Sequence, residues 1–162
     1  MARVEHAPAG VEHGERLERL YLEQGDRMWR AVLAFAGDPE VASDAVAEAF
    51  AQALRRGDAI RDAERWVWRT VFRVAAGELK ARARTLPLAV EGTYLMEEPA
   101  RELVAALARL SERQRAAVVL HHAVGYPVQE VASIIGSTPA AVKVHLLRGR
   151  RRLRELLKEN DG

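Results

Sequence analysis

Cysteine is absent from the 162 residues, so disulfides and thiolate metal sites are excluded and a reducing compartment is the expectation. Long apolar runs are missing too. None approaches the roughly 18 residues that a membrane span needs, and the opening MARVEHAPAGVEHGE lacks the apolar centre of a signal peptide, which points to a cytoplasmic chain with no membrane insertion. There is no glycine-rich phosphate loop and no His or Cys cluster at ligand spacing. His121 and His122 are neighbours and so point apart on a helix, which keeps them from sharing a metal without other ligands; one is expected near the helix packing and the other at the surface. No catalytic residue, metal or cofactor is expected. Charge of either sign is also in small excess, +2 net. The charges are nevertheless sorted along the chain, and a local basic excess near the end matters more to a polyanion than the total.

What the chain does have is concentrated in its last quarter, VQEVASIIGSTPAAVKVHLLRGRRRLRELLK from Val128 to Lys158. Val128, Val131, Ala132 and Ile135 recur at helical spacing. Gly136 ends that helix, because glycine takes a left-handed backbone without strain. Thr138 offers a side-chain oxygen as the next cap, and Pro139 suits the first helical position, where its missing N–H would be unpaired anyway. Two helices joined by so short a turn make a helix-turn-helix, whose second helix enters the DNA major groove. That second helix carries Val142, Leu146, Leu153 and Leu156 or Leu157 on one stripe, with Gly149 between them. Lys143, Arg148, Arg150, Arg151, Arg152 and Arg154 fill the remainder. The helix dipole favours cations only in a last turn and leaves Lys143 and Arg148 unexplained; contact with DNA accounts for them.

Upstream, residues 1–14 show no period and read as a flexible tail. Leu17, Leu20, Tyr21, Met28, Val32 and Phe35 then predict a long helix from Glu15 to a stop at Gly37. Asp38 and Pro39 restart the chain as cap and first residue. Ala42, Ala45, Val46, Ala49, Phe50, Ala53 and Leu54 keep a helical period, which gathers Asp44, Glu48 and Gln52 on the opposite, acidic side. A loop of Arg55 to Arg61 leads to Asp62, the cap of a helix reaching about Arg84. There Arg61, Arg65, Trp66, Trp68, Arg69, Phe72 and Arg73 interleave cations with aromatics. Successive helical residues point about 100° apart, so these cannot all be buried, and an exposed aromatic beside arginine can stack an unpaired base.

Residues 85–100, with two prolines and a glycine in TLPLAVEGTYLMEEP, read as a linker. Beyond it Leu103, Leu107 and Leu110 open a further helical set, and Ser111 with Gln114 forms a capping box for a helix through about Val124 that Gly125 terminates. The expected fold is all-α, with two small helical domains at 15–84 and 101–162. Each holds roughly 65 residues, near the lower end of what one core can stabilise.

In this order, the acidic amphipathic helix, the arginine and aromatic helix, the linker and the helix-turn-helix resemble the two-domain sigma factors of bacterial RNA polymerase, in the extracytoplasmic-function (ECF) group of the sigma-70 family. GDPEVASDAVAEAFAQAL and the Trp66-Val67-Trp68-Arg69 segment are similar to that family's region 2 helical bundle. LARLSERQRAAVVLHHAVGYPVQEVASIIG and AVKVHLLRGRRRLREL are similar to its region 4 helix-turn-helix. The resemblance implies a sigma factor that binds core polymerase and directs promoter recognition and transcription initiation. Asp44, Glu48 and Gln52 would dock on the β′ coiled coil, and the helices before the last would pack on the β flap. Arg56, Asp58, Arg61, Arg65, Trp66, Trp68, Arg69 and Arg73 would capture the −10 element as it opens. The last helix would read the −35 element through Thr138, Lys143, Val144, His145, Arg148 and Arg151. The linker acids Glu91, Glu97 and Glu98 would enter the polymerase near its active-site path, and an anti-sigma factor is implied as a partner.

Some positions depart from the family pattern. Ala47 replaces a usual glutamine, Arg73 and Gly77 replace an asparagine and an acid, and Val144, His145 and Leu147 replace serine, arginine and histidine. Val144 suits a thymine methyl, while His145 gives a weaker, pH-dependent contact. Magnitudes also require the polymerase. Separating about ten base pairs costs on the order of 14 kcal/mol, whereas each stacked base returns roughly 1–3 kcal/mol. Two alternatives remain open on the residues: a helix-turn-helix transcriptional regulator, or a sigma-like polymerase-binding adaptor without promoter reading.

Overall fold

The structure, a computed structural model, describes residues 8–85 and 97–162, and these contain helices and no strand. Helices α1 (Ala9–Ala36), α2 (Pro39–Arg56) and α3 (Ala63–Thr85) build the N-terminal domain. Helices α4 (Glu98–Ala108), α5 (Glu112–Val118), α6 (Val128–Ile135) and α7 (Pro139–Asn160) build the C-terminal one.

The breaks between helices follow the residues that stand there. Gly37 ends α1 in the left-handed region, at φ 71°, and its N–H returns to the Leu33 carbonyl at 2.8 Å. Asp38 then accepts from the Glu40 N–H at 2.8 Å, with Pro39 at the first helical position. Along α2 the buried face is largely alanine (Ala42, Ala45, Ala49 and Ala53), with Val41, Val46 and Phe50 filling the gaps. Such small side chains let α1 and α3 approach α2 closely. Met28, Val32 and Phe35 of α1 and Val67, Trp68, Val71 and Phe72 of α3 complete this core.

α1 begins at Ala9, so residues 9–14 are helical where the sequence reads as tail; residues 1–7 lie outside the described part. Gly10 and Gly14 hide this because neither contributes to a periodic apolar face. The anchor is His13, which is buried and whose Nε2–H donates to the Ala53 carbonyl of α2 at 3.0 Å. Residues 86–96, including Glu91, also lie outside the described residues. The expected linker is shorter at its far end, since Glu98 and Pro99 open α4 with Glu97 as the residue before it.

In the C-terminal domain Ser111 and Gln114 form the capping box, at 3.2 and 3.4 Å. The helix expected to run to Val124 changes its winding: α5 ends at Val118 and Val119–Val124 form a wider π-helical stretch before Gly125. His121 Nδ1–H donates to the Tyr126 carbonyl at 2.7 Å across that end, and His122 is exposed. The close crossing of α5 and α7 depends on Gly149, where a Cβ would lie 2.9 Å from Val118 Cγ2.

The two domains do not stand apart. Their buried residues form a single apolar cluster, in which α1 meets α4 and the π-helical stretch, and α3 meets α6. The guanidinium of Arg115 sits 4.8 Å from the centre of the Phe35 ring, a cation–π contact from α5 to α1,. Arg27 of α1 donates to the Val124 carbonyl.

Candidate nucleic-acid interface

The helix-turn-helix is built by three local devices. The Gly136 backbone, at φ 65°, ends α6 and sends its N–H to the Ala132 carbonyl. Thr138 Oγ1 accepts from the Ala141 N–H at 3.2 Å, and Pro139 takes the first position of α7. Val131, Ala132 and Ile134 on α6 and Val142 and Leu146 on α7 are buried in one core where the two helices meet, which sets the angle between them.

With that face inward, α7 presents the other to solvent. Lys143, Val144, Leu147, Arg148 and Arg151 are exposed, and His145 is half-buried. Thr138 is exposed at the turn, its oxygen engaged in the cap. Val144 is 44% and Leu147 52% exposed, so the outward face of this basic helix has apolar tips at its centre. Partial burial pulls the His145 pKa below its ordinary value, and Arg113 and Arg148 nearby pull it the same way. The ring is therefore a neutral donor and acceptor near pH 7. Arg152 is drawn aside by Glu155, at 3.3 Å.

The residues singled out in the N-terminal domain divide into three groups. Asp44 and Glu48 are exposed on α2 and Gln52 is half-buried. The Glu48 carboxylate accepts from Gln52 at 2.9 Å and Arg55 at 3.1 Å, and these contacts, Gln52 foremost, hold its pKa below the usual range. Asp44 stands beside Glu78 of α3, whose carboxyl is pushed up by burial and then by Asp44 itself. Second, Asp58 lies in a short 3-10 turn (Gly57–Ala59) and is exposed, as are Arg56 and Arg61 around it.

The third group lies on α3. Asp62 caps it, accepting from the Arg65 N–H at 3.1 Å. Trp68 is fully buried: its indole N–H donates to Gln24 at 2.8 Å, its ring stacks on Phe72, and Tyr126 of the C-terminal domain stands edge-on at 5.6 Å. Trp66, by contrast, is half-buried. Together with Arg56, Arg69 and Arg73 it lines a cleft of about 760 Å³ whose far wall is Arg113 of α5 and Ile135 and Gly136 of α6. Arg65 is paired with Glu130 of α6. Arg56 and the arginine face of α3 are thus near the C-terminal domain, while Arg61 stands beside Arg16, Arg19 and Glu23 of α1, and Asp44 and Glu48 are exposed on α2.

Tyr126, Glu130 and Arg113 were not legible as interface residues. Tyr126 donates its hydroxyl to Glu64 at 3.2 Å, and burial, then the Glu64 carboxylate, raise its pKa strongly. An aromatic directly after Gly125 and before Pro127 was the one available signal. Among the described residues no group of three metal-ligating side chains comes together, and no helix is long and apolar enough to cross a membrane.

Comparison with known proteins agrees with this geometry. The family model for sigma-70 region 4 matches residues 100–153, about a third of the chain. None of the curated proteins matches the sequence significantly. Among solved structures the chain is similar to CnrH in complex with the cytosolic domain of CnrY, with TM-score 0.74 and 20% identity over 93% of each chain. It is also similar to the sigma factor RpoE in complex with the anti-sigma factor NepR from Bartonella quintana, with TM-score 0.75 and 20% identity over 89% of this chain and 98% of that one. These likenesses establish a fold shared across both helical domains. Residues 100–153 thus match sigma-70 region 4, and the chain as a whole shares its two-domain helical fold with CnrH and RpoE.

Proposed function

We propose that the chain is a promoter-directing sigma factor, which binds core RNA polymerase and brings it to specific start sites. The observation that carries this reading is the helix-turn-helix of α6 and α7, in a segment that matches region 4, with its capped second helix turned basic side outward. Lys143, Arg148 and Arg151 are suited to phosphates, and Val144 with His145 to base edges, where a valine methyl packs on a thymine methyl. Thr138, at the start of the helix, is suited to a phosphate at its N-terminus. Arg56, Asp58, Arg61 and the α3 residues Arg65, Trp66, Arg69 and Arg73 serve the −10 strand as it unpairs; Trp68, expected among them from the sequence, is instead a core residue, fully buried against Gln24, Phe72 and Tyr126 and so out of a strand's reach. The energy for that unpairing comes from the polymerase, because one or two stacked bases return too little.

Asp44, Glu48 and Gln52 form the docking face for core polymerase, supported by the exposure of Asp44 and Glu48 on α2 and by the bond that ties half-buried Gln52 to Glu48. An anti-sigma factor is the expected inhibitor, since RpoE is known bound to one. Co-elution with core polymerase tests the docking face. The wild-type chain is expected to form a one-to-one complex that Asp44→Lys with Glu48→Lys abolishes; absence of any complex contradicts the reading.

A further inference from the structure

The cleft between the domains has an unusual charge. Arg56, Arg69, Arg73 and Lys80 enter it from the N-terminal domain and Arg113 from α5, while Glu112 is the sole carboxylate in its lining among the described residues. Glu112 reaches Lys80 at 4.0 Å, its one ion pair among the described residues. Arg56, Arg69, Arg73 and Arg113 have no ion pair with any described carboxylate. On α3, positions 69, 73, 77 and 80 share one face, with Gly77 leaving room between the cations. Crowding like charges is unfavourable, and a cleft with low-dielectric walls focuses their potential onto whatever fills it. Guanidinium forks match phosphate oxygens, and the half-buried ring of Trp66 supplies a flat apolar wall.

We propose that this interdomain cleft is a binding site for a small, phosphate-rich anion, which bridges Arg113 of one domain to Arg69 and Arg73 of the other and holds the two closed. The site is composite: the N-terminal domain alone has Arg69, Arg73 and Lys80 on the convex helix α3 with Arg56 at the end of α2, and α5 and α6 turn them into a cleft. A ligand that needs both walls favours the closed arrangement by its differential affinity for it. The occupied cleft also hides Trp66, Arg69 and Arg73 from a nucleic-acid strand, so the anion and a strand compete. The source is either an inorganic polyphosphate or a nucleoside polyphosphate, which share the phosphate chemistry and differ in whether Trp66 is used.

Titration calorimetry and thermal unfolding of the full chain, at fixed ionic strength, with sodium tripolyphosphate and with ATP, test the site without any polymerase, so the outcome is independent of the transcription reading. Saturable one-site binding and a rise in melting temperature are expected. Arg113→Ala, at an exposed position where folding is not at risk, is expected to weaken binding about tenfold by removing one charge-assisted contact. Arg30→Ala, at an exposed position of α1 outside the cleft, leaves it unchanged. Tighter binding of ATP that Trp66→Leu abolishes assigns a nucleoside ligand; equal binding of both assigns the inorganic one. Absence of saturable binding overturns the proposal. So does binding that Arg113→Ala leaves intact, which would mean general attraction to basic surface.

Discussion

Arg65 of α3 and Glu130 of α6 form an ion pair across the two domains, 65 positions apart in sequence. Beside it Tyr126 closes over Trp68 and donates to Glu64. The pair is partly exposed, so it contributes no more than about 1 kcal/mol, whereas the Tyr126 ring packs edge-on at 5.6 Å against the fully buried Trp68 indole.

The two contacts are therefore expected to respond differently to substitution. Tyr126→Ala should cost about 2–4 kcal/mol of interdomain packing, expand the chain in small-angle X-ray scattering and shift tryptophan emission to the red as Trp68 meets water. Glu130→Ala should leave both signals near those of the wild type. Identical scattering for all three proteins would contradict the placement of Tyr126.

Gly149 is where α7 crosses α5, and a methyl group there would meet Val118 Cγ2 at 2.9 Å. Gly149→Ala gains up to about 1 kcal/mol in helix propensity and loses about 1–3 kcal/mol to overpacking. A net loss is expected in thermal unfolding. Adding Val118→Ala should then cost less than it does in the wild type, because the two changes share one space. Strict additivity of the two would show that the crossing is not tight.

Much of this architecture is legible in the residues. Asp38 with Pro39, Ser111 with Gln114 and Thr138 with Pro139 mark helix starts because capping is a local exchange of hydrogen bonds, and Gly37, Gly125 and Gly136 mark stops because each needs a positive φ,. Periodicity likewise separated Val142, Leu146 and Leu156 from the cations of α7. What could not be read is set by partners distant in sequence. Trp66 and Trp68 are equivalent by composition, yet Gln24, Phe72 and Tyr126 enclose one and leave the other half open. The start of α1 depends on a single bond from His13 to Ala53, and the wider turn at Val119–Val124 leaves no periodic trace. The basic cleft requires Arg113 and Arg73 to face each other, which no pattern in either segment announces.

His122 and His145 both hold pKa values below their ordinary 6.5, mainly through partial burial, then through His121 and Arg150 for the first and through Arg113 and Arg148 for the second. Between 6.5 and those lower values the unfolded chain binds more protons than the folded one. Stability is thus fully present above pH 6.5 and is lost as the pH falls below it. Melting temperature should decline on acidification from pH 7 to 5.5, and His122→Gln with His145→Gln should flatten that slope. An unchanged slope would remove the histidines from the explanation.

Glu78 has the opposite sign. Its carboxyl is raised by burial and by Asp44, so ionisation at neutral pH opposes folding. Glu78→Gln removes a charge while keeping a polar side chain beside Asp44, and is expected to raise the midpoint of denaturant unfolding at pH 7 and to gain less at pH 4. Destabilisation at pH 7 would show that Arg82 outweighs both causes.

Run-off transcription with core RNA polymerase, with and without the chain, on a library of promoter fragments tests the sigma-factor reading most directly. Discrete transcripts are expected only when the chain is present, from start sites that share one upstream element, and Lys143→Ala with Arg148→Ala should weaken them all by a similar factor. Core binding without discrete transcripts, or tight sequence-specific DNA binding by the chain alone, would contradict it.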